Sequence, residues 1–502
     1  MSTTMASPQH SNGTNGTNGT NGTNGHTKNV VVPLWINGKE ETTSSSFEVT
    51  SPSNNEVCWT ATSASKDDAL RAVSSAEAAF PSWSETKPVL RREILLKTAA
   101  LLEARTQEYA SFMQTEMGAD MGVAAHFVMP LAISQLKDIA GRITSICGSV
   151  PVSQEKGRSA IVYKEPYGVT LGICPWNAPF VFGIRSAATA IATGNTTILK
   201  ASEVTPRSYW AISKAFHDAG LPAGVLNVIQ CRPTDAAEVT NTIIEHTAVK
   251  KIDFTGSASV GRKIAKVCGQ MLKPCLMELG GKNSTIVLPD ADIEKAVGAT
   301  MAGSFLNSGQ ICMATDRIIL HSQIAPQFLA AFKSALSSAP EGKQPPLPTL
   351  VSSASKKRLE RIIDEAINSG AESLTGQPPK GLDGASFAPV ILGDIAEDSL
   401  FWKEENFGPA VGYLIVNSED EAIAAANKTE YGLSASVFTK DLRRGLAVAK
   451  KVQSGAVHIN NMTIHDEPTL PFGGVKNSGW GRFNAQSGME EFLVTKTVTW
   501  DD

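Results

Sequence analysis

Two stretches decide how this chain is read: Met277-Glu278-Leu279-Gly280-Gly281 and, further on, Asn307-Ser308-Gly309-Gln310-Ile311-Cys312. The second sets a thiol in a short polar and glycine-bearing segment between apolar runs. The first sets a carboxylate ahead of two glycines, which let backbone approach it or a ligand closely. A thiol can attack a carbonyl carbon, and a carboxylate of raised pKa can activate the water that releases the acyl group. A third piece, Pro175-Trp176-Asn177-Ala178-Pro179, carries an amide able to donate to the oxyanion made by that attack. Each piece alone has a plainer reading: a small core residue for Cys312, a helix end or turn for Glu278, a turn for Asn177. The combination singles them out.

Around these pieces the chain alternates. Apolar strand runs at Ile161-Val162-Tyr163, Gly168 to Ile173, Asn195 to Leu199, Val225 to Ile229, Ile252 to Thr255 and Ser284 to Leu288 are separated by helical patterns. A second strand–helix series follows Glu278, at Arg317 to Leu320, Ala410 to Val416, Ala435 to Phe438 and Ala456 to Asn460. Such alternation is the mark of parallel sheets with crossover helices, an α/β fold. The seam between two domains falls near Glu278, and a cleft at such a seam is a common ligand site. Upstream, Ser65-Lys66-Asp67-Asp68 reads as a capping box, and Leu90 to Met117 as one long amphipathic helical stretch closed by Gly118. Ala339 to Leu350, rich in proline, reads as loop. Residues 1–29, with Asn-Gly-Thr repeats from Asn12 through Thr23, read as a disordered tail with too little apolar content to offset ordering entropy. Its sequons are expected to stay unmodified, since no signal peptide is evident.

The 502 residues suffice for two or three domains, and 42 % apolar with 19 % charged residues fits a folded enzyme. A net charge of −4 gives no electrostatic case for nucleic acid or an anionic membrane. No apolar run is long enough for a membrane helix. Seven widely spaced cysteines without a C-x-x-C pair argue against a disulfide framework or a metal site, so no metal is expected and a reducing compartment, the cytoplasm, is.

Two further segments suit a nucleotide. Phe254-Thr255-Gly256-Ser257-Ala258-Ser259-Val260-Gly261 is a strand end, a glycine turn and a helix start, able to present N–H groups and a positive helix end to a phosphate. Lys200 and Glu203, just past another strand, can bracket a ribose diol or form a plain ion pair.

These motifs, in this order, resemble the NAD(P)-dependent aldehyde dehydrogenase superfamily from about Pro33 to the C-terminus. The resemblance implies a Rossmann-type coenzyme domain (30–277, with an oligomerisation hairpin near 149–162), an α/β catalytic domain (278–485) and a C-terminal oligomerisation strand (486–502). It implies Cys312 as nucleophile, Glu278 as hydrolytic base, and Asn177 with the Cys312 backbone N–H as oxyanion donors. Coenzyme contacts implied are Trp176, Lys200, Glu203, Gly256, Ser257 and Gly261. By this resemblance Lys200 and Glu203 lie at the adenosine ribose. That implies that an acid at Glu203 accepts from a free 2′-hydroxyl and repels a 2′-phosphate, favouring NAD, with NADP left open because Lys200 can meet a phosphate. Glu404-Glu405-Asn406-Phe407-Gly408-Pro409 is similar to the family's E-E-x-F-G-P, which gives Glu405 to the nicotinamide ribose and Phe407 to the nicotinamide. Pro471-Phe472-Gly473-Gly474-Val475-Lys476-Asn477-Ser478-Gly479 is family-wide, while the preceding His465-Asp466-Glu467-Pro468, with Arg185, looks like the vanillin and salicylaldehyde dehydrogenase branch.

Arg185 is therefore either a contact for an aromatic hydroxyl or carboxylate or a structural ion-pair partner, and His465 a substrate contact or a surface loop residue. One departure stands out: where the family has G-D-P…G-P-L-[VI], this chain has Glu341 to Val351 with a different pattern. The resemblance also implies a homodimer or homotetramer, in which the run from Phe492 to Trp500 completes a neighbour's sheet. An acylating enzyme that passes the thioester to coenzyme A is disfavoured by Glu278. A silent member that only binds is disfavoured by the joint presence of Cys312, Glu278, Asn177 and Lys200.

Overall fold

The computed structural model describes residues 30–337, 347–376 and 381–502. The tail 1–29 and most of the Ala339 to Leu350 loop lie outside the described residues.

Two sheets organise the molecule. The first is built on five parallel strands, β1 (Val169–Ile173), β2 (Thr196–Lys200), β3 (Leu226–Ile229), β4 (Val249–Thr255) and β5 (Cys275–Glu278). Their spatial order is β5-β4-β1-β2-β3, extended by Leu34–Ile36 and Lys39–Glu41 beyond β3 and by Gly479–Trp480 beyond β5. Every residue of β1, β2 and β3 is buried, as expected of parallel strands covered by helices on both faces. Helix Pro179–Ala192 is likewise buried throughout, so it reads as apolar on all sides rather than striped. The chain leaves β1 for β2 on one side and later returns to β4 on the other. At the carboxyl ends of β1 and β4 the connections diverge, and the crevice between them is where open α/β sheets take ligands.

The second sheet begins four residues after β5. Six of its seven strands, β6 (Asn283–Val287), β7 (Thr315–His321), β8 (Val390–Gly393), β9 (Ala410–Val416), β10 (Ser434–Phe438) and β11 (Ala456–Ile459), are ordered β8-β9-β7-β6-β10-β11 and mutually parallel, and the short Glu372–Ser373 pairs antiparallel at the β8 edge. Leu279 to Lys282 thus join the carboxyl end of one sheet to the amino end of the other. Lys282 pins that joint: its buried ammonium lies 3.3 Å from Asp316 and 3.1 Å from the Asn406 side-chain oxygen.

Two differences from the sequence reading stand out. The helical stretch to Met117 is two helices, Pro88–Ala104 and Thr106–Met117. Arg105 between them leaves helical geometry, and the Thr106 hydroxyl donates to the Leu102 and Glu103 carbonyls, competing with the backbone ladder. Gly479–Trp480, grouped by sequence with the second domain, pairs antiparallel with Met277 and Glu278 of the first sheet. The C-terminal strand Leu493–Asp501 pairs antiparallel with Arg158–Pro166 of its own chain, forming a two-stranded ribbon. The capping box is present as read, with Ser65 and Asp68 exchanging hydrogen bonds at the start of helix Lys66–Ser84.

Candidate active site

Glu278 is the last residue of β5 and Cys312 lies just before β7, so the joint between the sheets brings carboxylate and thiol together. The Cys312 thiol donates to Glu278 Oε1 at 3.2 Å. Both side chains are buried. Burial, and then the Glu278 carboxylate beside it, push the Cys312 thiol well above its ordinary pKa. The resting nucleophile is therefore a protonated thiol already hydrogen-bonded to the group that can take its proton.

The backbone before Cys312 is held in an uncommon shape. Asn307, Ser308 and Gly309 have φ of 53°, 58° and 70°, three successive residues in the left-handed region. Asn and Gly tolerate it; Ser does so at a cost. A Cβ on Gly309 would stand 2.3 Å from the Gly408 carbonyl oxygen, so this glycine is also required by close packing. Side chains fix the rest. The Asn283 amide donates to the Cys312 and Ala314 carbonyls at 2.9 and 2.8 Å. The Asn307 amide donates to the Asn177 carbonyl at 3.1 Å, and the Gln310 side chain accepts from Val351 N–H at 2.8 Å. Asn177, in the connection after β1, donates one amide N–H to the Gln310 carbonyl at 3.0 Å, leaving its second N–H for another acceptor.

A narrow cavity opens onto this group. Asn177, Glu278, Asn307, Cys312 and Asp466 supply its polar lining; Val123, Phe127, Val181, Phe182, Met313, Ile464 and Phe472 are among its apolar walls. Phe127 belongs to a π-helical turn, Ala124–Val128, which joins short helix Met121–Val123 to helix Met129–Arg142. Such turns often mark functional sites. Arg185 does not line this cavity. It is buried behind Glu278, ion-paired to Oε2, with its guanidinium 3.8 Å from the Phe483 ring centre. His465 also stands off the cavity, with its ring 4.7 Å from that of His458 and Nε2 3.8 Å from Glu467.

The coenzyme candidates gather at the switch crevice. Gly256 and Ser257 follow β4, and Ser257 caps helix Ala258–Gln270 by accepting from Val260 N–H. Gly261, in the first turns of that helix, permits packing against Leu279, whose side chain would lie 2.5 Å from an added Cβ. Lys200 ends β2 and is buried, with its ammonium 3.4 Å from the partly exposed Glu203 carboxylate. Trp176 meets Phe407 edge-to-face at 5.6 Å. Glu405 accepts from Gly281 N–H at 3.0 Å, and burial pushes its carboxyl up to about 8. A Cβ on Gly280 would lie 2.4 Å from Glu405 Oε2, so only glycine leaves that carboxylate its place.

The model of the aldehyde dehydrogenase family matches residues 35–498. The chain belongs to the aldehyde dehydrogenase family. A vanillin dehydrogenase from a Pseudomonas species is 39 % identical over 93 % of this chain and 97 % of its own. The structure of a salicylaldehyde dehydrogenase from Pseudomonas putida, complexed with salicylaldehyde, superposes with a TM-score of 0.90 at 35 % identity, covering 94 % of this chain and 98 % of that one. A betaine aldehyde dehydrogenase from Staphylococcus aureus in complex with NAD+ gives 0.88 at 28 % identity, over 94 % and 96 %. This aldehyde dehydrogenase is accordingly an oxidoreductase that converts aldehydes to acids with an NAD(P) coenzyme and a cysteine nucleophile. No helix among its described residues is long and apolar enough to cross a membrane.

Sequence reasoning missed Asn283, Asn307 and Gln310, whose importance comes from what they hold rather than from their chemistry. It also left Asp466 unassigned, although His465-Asp466-Glu467-Pro468 was singled out.

Proposed function

We propose that this aldehyde dehydrogenase oxidises aromatic or other hydrophobic aldehydes to carboxylic acids, with NAD preferred over NADP. The observation that carries the reading is the Cys312–Glu278 contact of 3.2 Å, set beside Asn177 in a cavity with aromatic and aliphatic walls. Glu278 takes the thiol proton as Cys312 sulfur bonds the aldehyde carbon. The free N–H of Asn177 donates to the resulting oxyanion. A nicotinamide coenzyme held beside Trp176 and Phe407 would supply the hydride acceptor that lets the Cys312 adduct become a thioester. Glu278 releases the thiol proton to solvent and, ionised again, removes a proton from water as the water oxygen bonds the thioester carbon. The C–S bond breaks, the acid departs, and the sulfur regains a proton from Glu278. A carboxylate already aimed at the sulfur favours this hydrolytic ending over transfer to coenzyme A.

The residues present fit a dinucleotide. A capped helix start follows β4, Lys200 and Glu203 stand past β2, and the glycine-shaped recess at Gly280 leaves room for the Glu405 carboxylate. In this reading Glu203 accepts from the adenosine ribose and would repel a 2′-phosphate, Glu405 holds the second ribose, and Phe407 with Trp176 flanks the nicotinamide. All seven cysteines are free, which supports a reducing compartment, the cytoplasm. The two-stranded ribbon exposes Tyr163, Val498 and Trp500, apolar area that a second copy would cover in a homodimer or homotetramer.

The test is NADH formation with benzaldehyde, salicylaldehyde and vanillin against short aliphatic aldehydes. A kcat/KM higher for the aromatic set by tenfold or more is expected. No dehydrogenation of any aldehyde, or clear preference for aliphatic ones, would refute the reading.

A further inference from the structure

Behind the carboxylate that faces Cys312 sits a charge arrangement that the reaction above does not use. Arg185, Glu278 and Asp466 are all almost wholly buried, their side chains 2 %, 0 % and 4 % exposed. One cation therefore faces two carboxylates in a dry site. One guanidinium nitrogen, Nη2, is bonded to Glu278 Oε2. The other, Nη1, is buried without a hydrogen-bond partner and lies 3.8 Å from Asp466 Oδ2. A buried N–H without a partner is costly, and a carboxylate just outside bonding range is its nearest remedy. Burial works against the Arg185 charge, but Glu278, Asp466 and Asp253 more than offset it and hold the guanidinium above its ordinary pKa. Asp466 is held above its own by burial, against the pull of Arg185. Three aromatic rings, Phe182, Phe472 and Phe483, surround the guanidinium and keep it in place without bonding it to either acid.

We propose that Arg185 is a positioning residue shared between Glu278 and Asp466, and that Asp466 sets how tightly Glu278 is held and so how readily it accepts a proton from water. With Arg185 on Glu278, the carboxylate is tied in an ion pair on one oxygen and meets the Cys312 thiol with the other. With Arg185 drawn onto Asp466, Glu278 is released as a stronger base for the hydrolytic half of the reaction. The inference rests on the reading of Glu278 as that base. Other charged or titratable groups facing the trio are Cys312, Glu405, Asp253 with Lys251 beyond it, and His465 beside Asp466.

The experiment follows deacylation against pH in the full-length enzyme with NAD and benzaldehyde, separating the NADH burst from steady turnover. Asp466→Asn leaves Arg185 on Glu278 alone and removes a nearby negative charge. The half-maximal pH should therefore fall by about one unit and the plateau by roughly tenfold, with the burst amplitude kept. Arg185→Gln should move the half-maximal pH up by a similar amount, while Arg185→Lys, which keeps the charge, should stay near the parent. Asp466→Asn is nearly isosteric and keeps the test decisive if Arg185→Gln does not fold. An unchanged half-maximal pH in Asp466→Asn overturns the inference while leaving Glu278 as base. Glu278→Gln distinguishes the two failures: if that variant deacylates normally, the reading of Glu278 fails first.

Discussion

Replacing Gly280 with alanine should separate coenzyme handling from folding. The added methyl would begin 2.4 Å from Glu405 Oε2, 2.8 Å from its carboxyl carbon and 3.0 Å from Oε1. Ordinary contact starts near 3.4 Å, so the carboxylate must retreat by about 1 Å. Because the obstructing atoms are the far end of a side chain rather than backbone, the fold can absorb this. The hydrogen bond from Gly281 N–H to Glu405, 3.0 Å long, cannot stretch that far and survive. Losing a hydrogen bond to a carboxyl that is mostly protonated at neutral pH costs about 0.5–1.5 kcal/mol, or roughly 2- to 12-fold. The proposed role of Glu405 on the coenzyme ribose puts that loss on coenzyme binding. Steady-state kinetics with varied NAD, beside a thermal melt, check it: KM for NAD should rise within that range, while Tm drops by only a few degrees. A Gly280→Ala enzyme with the parental KM for NAD would refute the reasoning, as would one that fails to fold.

Three further outcomes are expected. Asn177→Ala should lower kcat by about 10²–10³, the usual cost of one oxyanion donor, with coenzyme affinity kept; stopped-flow NADH traces would show a slowed burst rather than a slowed turnover after it. Glu405, whose carboxyl burial raises to about 8, is mostly protonated at neutral pH and ionises as pH rises through that value. If the ionised form accepts from the ribose hydroxyls, KM for NAD should fall between pH 7 and 9 in the parent and stay flat in Glu405→Gln, as measured by initial rates. Glu203→Ala should narrow the NAD-over-NADP ratio of kcat/KM, since it removes a carboxylate that would face the 2′-phosphate; an unchanged ratio would displace Glu203 from that role.

The parts of the structure legible in the sequence are those governed by short-range rules. Strands such as Val169–Ile173 and Thr196–Lys200 are buried on both faces, so their apolar runs are uninterrupted and easily seen. Cys312, Glu278 and Asn177 were legible because their chemistry is rare and their neighbours are distinctive. What was not legible was pairing at long range. Nothing local to Arg185 says that its partner is Glu278, 93 residues on, rather than a substrate. Nothing local to Gly479 says that it pairs with Glu278. The division of Leu90 to Met117 turned on one hydroxyl, at Thr106, competing for two carbonyls, a margin too small for periodicity to reveal.

The geometry around Cys312 bears on when the nucleophile becomes active. A buried thiol pushed well above its ordinary pKa is a poor nucleophile and a poor target for adventitious oxidation, because the thiolate is the reactive form. Ionising it in isolation would place a second negative charge against Glu278. Passing the proton to Glu278 avoids that, since total charge is unchanged and the 3.2 Å contact supplies the path. The cost of the exchange is then set by whatever else holds Glu278, which here is Arg185. The same buried cation favours a thiolate at Cys312, against the effects of burial and of Glu278. A positive nicotinamide ring entering the crevice would act on the thiol in the same sense. Coenzyme binding should therefore raise the reactivity of Cys312 before any aldehyde arrives. Alkylation of Cys312 by iodoacetamide, followed by mass spectrometry, should be faster with NAD bound than without it at neutral pH. An NADH complex, whose ring is neutral, should give less acceleration. Equal acceleration by both would assign the effect to closure of the crevice rather than to charge.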